Sequence, residues 1–149
     1  MRKIISGIFI ILVSLNIAVA NPTASQTPPA IVVEDVIIPM APPAAPVMVA
    51  YMKLQNRSKK KQTITHVSSP QFKRVEIHSM TMENGMMNMQ QLKSLSIQAK
   101  KTVVLESGGL HLMLIKPLKH LKEGTNVELT FKLISGELTT INTKVQRND

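Results

Sequence analysis

The residues with the most distinctive chemistry in this chain are its methionines. There are ten in 149 residues, and Met80, Met82, Met86, Met87 and Met89 fall within one ten-residue window. A thioether ordinarily fills irregular gaps in an apolar core, an account that suits Met48 and Met52. It does not suit the window, whose neighbours Ser79, Thr81, Glu83, Asn84, Gly85, Asn88 and Gln90 are polar or lack a side chain. Asn84-Gly85 in the middle is a strong short-range hairpin signal, because both residues accept the positive φ of a type I′ turn. If these two form the loop, Glu83 faces Met86, Met82 faces Met87, Met80 faces Met89 and His78 faces Gln91. Side chains alternate along a strand, so His78, Met80, Met87 and Met89 then share a face. His78 and Met89 become diagonal neighbours, within reach of long side chains.

A second pair lies in Leu110-His111-Leu112-Met113-Leu114. As a strand, this segment turns Leu110, Leu112 and Leu114 toward a core and projects His111 and Met113 from the opposite side. A lone histidine is ordinarily a hydrogen-bonded structural residue; two His/Met pairs in one small chain point to ligands instead. Two neutral imidazoles and two thioethers form a soft, uncharged donor set. It suits copper(I), whereas zinc, magnesium and calcium favour thiolates or carboxylates, and copper(II) favours tetragonal nitrogen and oxygen. The expectation is one copper(I) per chain, held by His78, Met89, His111 and Met113.

His78 is followed by ten residues and Met89, then by twenty-one residues and His111-Leu112-Met113. In this spacing the chain resembles the PCu(A)C family of periplasmic copper chaperones, whose motif is a histidine, ten residues, a methionine, twenty-one residues and His-x-Met. The flanks Val75-Glu76-Ile77-His78-Ser79-Met80, Glu83 to Met89 and Gly109 to Leu114 resemble the family too, as does the tail from Pro117-Leu118 through Gly124-Thr125 to Val127–Phe131. The resemblance spans Ile31 to Val145. It implies a cupredoxin-like Greek-key β-sandwich with copper(I) near one end. It also implies a role in supplying the binuclear copper centre of cytochrome c oxidase, alongside a Sco-type thiol protein. The chain departs from the family in two ways. It ends Gln146-Arg147-Asn148-Asp149 without the His/Met-rich extension some members carry, and it has no tryptophan where the family often has one near the first strand.

The elements that must position these ligands are all strands. Short β-type runs broken by turn residues are expected at Ile31–Ile38, Val47–Gln55, Thr63–Val67, Lys73–His78, Met86–Gln90, Ser94–Gln98, Thr102–Glu106, Leu110–Ile115, Asn126–Ile134 and Leu138–Val145. The alternation is plainest where Val127, Leu129, Phe131 and Leu133 oppose Glu128, Thr130 and Lys132. Ser135-Gly136 then serves as a hairpin connection. Pro39–Pro46 is an extended loop or bend, and Lys59-Lys60-Lys61 is a solvated loop. No segment shows sustained helical periodicity. Many short, regularly spaced strands indicate an all-β sandwich or Greek-key barrel.

The chain opens Met1-Arg2-Lys3, runs without charge from Ile4 to Ala20, and ends that run with Ala18-Val19-Ala20. A basic start, a short apolar stretch and small residues at the end describe a cleavable secretory signal. Residues 1–20 are accordingly read as the signal peptide, 21–30 as a flexible leader, and 31–149 as the copper(I)-binding domain of a periplasmic protein. No cysteine is present, which argues against a lipid anchor and removes thiol nucleophiles, thiol–disulfide exchange, zinc–thiolate sites and blue-copper sites. Without Arg2 and Lys3 the formal charge of +9 becomes +7, a feature of solubility and of attraction to acidic partners. Nucleic acid is not an expected partner, since Tyr51, Phe72 and Phe131 make a poor stacking platform.

Catalysis is not expected: no Ser/His/acid arrangement is evident, and Glu76, Glu83 and Glu106 form no acid–base pair. His66 and His120 lie outside the motif and read as surface residues. The chain is expected to be a monomer. A copper buffer without a dedicated acceptor would use the same ligands as a chaperone. A β-sandwich interaction module with methionines as a contact surface is the reading from a different class.

Overall fold

The computed structural model describes residues 28–147, so the expected signal segment 1–20 and most of the leader lie outside the described residues. Ten strands follow in order: β1 Ile31–Pro39, β2 Val47–Asn56, β3 Gln62–Ser68, β4 Phe72–Glu83, β5 Met86–Leu92, β6 Leu95–Ile97, β7 Thr102–Leu105, β8 His111–Pro117, β9 Asn126–Leu133 and β10 Leu138–Gln146. Each expected run is a strand, and no helix occurs among the described residues. The main difference is in β4, which continues through Met80 and Met82 to Glu83 instead of stopping at His78. Pairing with β5 extends it, because every residue from Ile77 to Glu83 has a partner on that strand.

The strands form the hydrogen-bonded order β5-β4-β8-β2-β1-β10-β9-β3-β6, with β7 also on β2. One half contains β4, β8, β2 and β1; the other contains β10, β9 and β3. They meet at two thin corners. Parallel β1 and β10 share only Ile38↔Val145 and Pro39↔Gln146, while β3 and β4 share only Val67↔Val75. The all-β sandwich is therefore closed into a flattened barrel, which leaves few open edges.

The core follows from alternation. Val127, Leu129, Phe131 and Leu133 all turn inward and are fully buried. Met48, Ala50, Met52 and Leu54 do the same from β2, so two methionines serve as ordinary core filling. Val75, Ile77, Leu112 and Leu114 complete the wall nearest the site. The turn at Ser135-Gly136 joins β9 and β10 as expected, with Gly136 at φ 89°. Lys59, Lys60 and Lys61 are exposed between β2 and β3. The end of the leader is tied down: the Ala30 amide donates to Glu137 Oε1 at 2.8 Å and its carbonyl accepts from the Arg57 amide at 2.9 Å.

β7 and β8 lie on the same side of β2, end to end. β7 covers Met52 to Gln55 and β8 covers Val47 to Ala50. The segment 106–110 interrupts what would otherwise be one strand, looping out between Leu105 and His111. Two hydrogen bonds close it on itself: the Glu106 amide donates to the Leu110 carbonyl at 2.6 Å, and the Gly109 amide donates to the Glu106 carbonyl at 3.2 Å. Leu110 is consequently half-buried at the end of this loop, packed against the core just before β8 begins. His111 becomes the first residue after the interruption.

Candidate metal centre

The site begins with the β4–β5 hairpin. Asn84 and Gly85 form its loop at φ 52° and 77°, both positive as a type I′ turn requires. The resulting register has Glu83 facing Met86, Met82 facing Met87, Met80 facing Met89 and His78 facing Gln91. This is the register expected from the Asn-Gly pair. It puts Met89 diagonal to His78 on one face of the ribbon.

On its other side, β4 pairs with β8. His78 is directly opposite His111, and Glu76 is directly opposite Met113. Because Ile77 and Leu112 face the core, Glu76, His78, His111 and Met113 all lie on the outer face of this wall. The two imidazole rings have centroids 6.0 Å apart and planes tilted by 34°. His111 is only 4% exposed although it points away from the core. Met113 is half-buried, and Met89, at 48%, is the solvent-side member of the four. The structure thus brings His78, His111 and Met113 onto adjacent strands and adds Met89 from the next strand.

Each imidazole is oriented by an acceptor. Glu76 Oε2 accepts from His78 Nε2 at 3.0 Å, and Arg74 Nε holds the other carboxylate oxygen at 3.3 Å. The proton on His78 is thereby assigned to Nε2, leaving Nδ1 as the lone-pair nitrogen. That Nδ1 is buried and has no hydrogen-bond partner. The Gly109 carbonyl accepts from His111 Nδ1 at 3.0 Å, which leaves His111 Nε2 as the lone-pair nitrogen. The same carbonyl accepts from the Met80 amide at 3.1 Å, fixing the 106–110 loop to β4.

A buried imidazole nitrogen with no partner is costly, and a soft cation is a fitting partner for it. An acceptor behind each ring is also the usual way a protein orients histidine ligands and raises their basicity. With ring centroids 6.0 Å apart, the two imidazoles are close enough to serve a single ion. Among the described residues no three His, Asp or Glu side chains cluster in a way that could hold a metal. The donors that distinguish this site are therefore thioethers and imidazoles.

Glu76 and Gly109 are functional neighbours that the sequence reading missed. Glu76 could have been found, since it lies two residues before His78 on the same strand face. Gly109 could not, because its role depends on the loop that interrupts β7 and β8. His66 and His120 are exposed, as expected, and stand apart from the site.

Solved structures share this fold. The copper-bound PCuAC domain from PmoF2 is 18% identical, with a TM-score of 0.67 over 80% of this chain and 95% of that one. Copper(I)-bound DR1885 from Deinococcus radiodurans is 27% identical, with a TM-score of 0.66 over 85% of this chain and 84% of that one. The apo form of DR1885 aligns with 94% of this chain and 96% of its own length at 24% identity and a TM-score of 0.61. No curated protein matches the chain. The architecture is the cupredoxin-like β fold of these domains. The model of the LpqE-like lipoprotein family matches residues 31–145. The chain belongs to the LpqE-like (PCuAC) family.

Proposed function

We propose that the protein is an exported metallochaperone that binds one copper(I) through His78, Met89, His111 and Met113 and supplies it for the binuclear copper centre of cytochrome c oxidase. The observation that carries the binding reading is the His78–His111 pair: two imidazoles on adjacent strands, each with one nitrogen held by an acceptor and the other left as a lone pair. Two solved relatives, a copper-bound PCuAC domain and copper(I)-bound DR1885, support the same ion.

The chain's own residues divide the work. Glu76 and the Gly109 carbonyl hold the rings in orientation and fix the proton on the nitrogen away from the ion. The buried Leu112 and Leu114 anchor the strand that carries His111 and Met113. Thioethers favour the cuprous state and make the donor set neutral, so the bound ion leaves the site with a single positive charge. Met89, exposed on the outermost strand, is the ligand an acceptor would reach first. Delivery to the oxidase, with a Sco-type thiol protein as co-worker, rests on the family resemblance of the motif. Export rests on the apolar run 4–20.

Titration with copper(I) under reducing conditions tests the binding. One equivalent with nitrogen and sulfur scatterers in X-ray absorption is expected; a spectrum without sulfur overturns the ligand set. Deleting the gene and assaying oxidase activity at limiting copper tests delivery. Undiminished activity would leave a copper buffer as the better account. Intact-mass measurement of the exported protein is expected to show a start near Asn21, and a mass retaining residues 1–20 overturns cleavage.

A further inference from the structure

The copper(I) site described above uses only one methionine of the β4–β5 hairpin. β4 loses its contact with β8 just beyond His78, where the last link is the Met80 amide to the Gly109 carbonyl. From there the hairpin continues as a two-stranded ribbon with no third strand beside it among the described residues. On the face that carries His78, the ribbon presents Met80 and Met82 from β4 and Met87 and Met89 from β5. Met82 and Met87 are directly opposite each other, with Cβ atoms expected about 5 Å apart. Met80 is diagonal to Met87 and directly opposite Met89.

These side chains do not serve the core. Met82 is 70% exposed and Met87 is 71% exposed. The other face of the same ribbon carries Ser79, Thr81, Glu83, Asn88 and Gln90, with Met86 as its one thioether. A hairpin that needed only to be soluble would be polar on both faces. The electrostatics are equally selective. The chain has 18 lysines and arginines and a formal charge of +9, yet residues 75–92 contain neither. The only charges in that stretch are those of Glu76 and Glu83. Three thioethers on one face of a stretch without lysine or arginine form a donor set for copper(I) and for no hard metal.

We propose that Met80, Met82 and Met87 form a second copper(I) site at the exposed tip of the hairpin, weaker than the first and made of sulfur alone. It rests on the reading of the inner site as a copper(I) centre. Met80 faces Met89, so the tip site is one register step from the inner ligands. The two sites lie on one continuous face, which gives the ion a thioether track between solvent and the imidazoles. The exposure of Met82 and Met87 makes the tip site labile.

The test is an anaerobic titration of the full chain with copper(I) against a competing chelator, with X-ray absorption after each equivalent. Two equivalents are expected, the second showing only sulfur scatterers. Met82→Leu/Met87→Leu should remove the second equivalent and change the affinity of the first by less than about twofold, as for substitutions that share no partner with it. Met86→Leu, at the same tip but on the other face, should leave both equivalents in place. His78→Ala/His111→Ala should abolish the tight equivalent and keep the weak one. If the parent binds a single equivalent, or the Met82/Met87 variant keeps two, the tip site is wrong and the inner site stands. If the His78/His111 variant keeps the tight equivalent and the Met82/Met87 variant loses it, the inner assignment fails.

Discussion

Glu76 and His78, two residues apart on β4, are joined side chain to side chain at 3.0 Å. With the carboxylate accepting from Nε2, the buried, unpartnered Nδ1 is left as the lone-pair nitrogen. The carboxylate is itself held by Arg74 and is only 18% exposed, so it orients the ring from a fixed position.

Removing this support should weaken the site without touching a ligand. Glu76→Ala is expected to lower copper(I) affinity by about 10- to 100-fold, the range for outer partners of ligating histidines. Glu76→Gln keeps an acceptor oxygen and loses the charge, so its loss should be smaller. Competition against a copper(I) indicator measures both. Parent-like affinity in Glu76→Ala would show that the Glu76 bond does not govern the donor atom.

Acidification should release copper(I), and the sign follows from the ligands. An imidazole that gains a proton loses its lone pair, while a thioether has no proton to gain. Affinity therefore falls as pH falls. Met113→Leu and Met89→Leu should weaken binding and preserve that slope. His111→Ala and His78→Ala should weaken binding and flatten it, because one fewer proton competes. The panel is read by indicator competition at several pH values, and an unchanged slope in both histidine variants would contradict the assignment.

The hairpin loop should be intolerant of side chains that resist positive φ. Gly85 sits at φ 77° with nothing within 4 Å of a built Cβ, so strain and not collision decides the outcome. Gly85→Val places a β-branched residue there at a cost of about 1–3 kcal/mol. Faster hydrogen exchange is expected for the amides pairing Thr81 to Glu83 with Met86 to Asn88, with β9 and β10 unaffected. Equal protection in variant and parent would mean that the turn does not hold the register.

Asn56 is the polar keystone beneath the loop between β2 and β3. It is fully buried, and its Nδ2 donates to the carbonyls of Lys60, Ile97 and Gln98 at 2.8, 2.9 and 3.1 Å. Its Oδ1 accepts from the Ser58 amide and hydroxyl. Asn56→Leu strands several of these groups, and each buried orphan costs about 1–3 kcal/mol. Chemical denaturation should show a loss on the order of 3 kcal/mol, consistent with at least one such orphan. A variant as stable as the parent would mean that water replaces the side chain.

Much of this protein is local in origin and could be read directly. Strand positions follow from period-two alternation, as in Val127 to Leu133, which needs no knowledge of the partner strand. The β4–β5 register follows from Asn84-Gly85, because a two-residue loop leaves a single way to pair the flanking residues. Both effects act over a few residues, and those residues carry them wherever the chain goes.

The meeting of His78 with His111 has a different origin. Thirty-two residues separate them, and only the packing of β4 against β8 sets their opposition at His78↔His111. A shift of one residue in that ladder would turn one ring into the core. The register is held by Ile77 and Leu112, which must both face inward, and by the Gly109 carbonyl that ties Met80 and His111 together. The Glu76–His78 bond, by contrast, is local, between residues two apart on one strand face. The residue types and spacing determined which donors the chain carries. They also put an acceptor two residues before each ring, whereas only the non-local ladder decided that the two rings meet, because strand pairing over that separation depends on which residues the core buries.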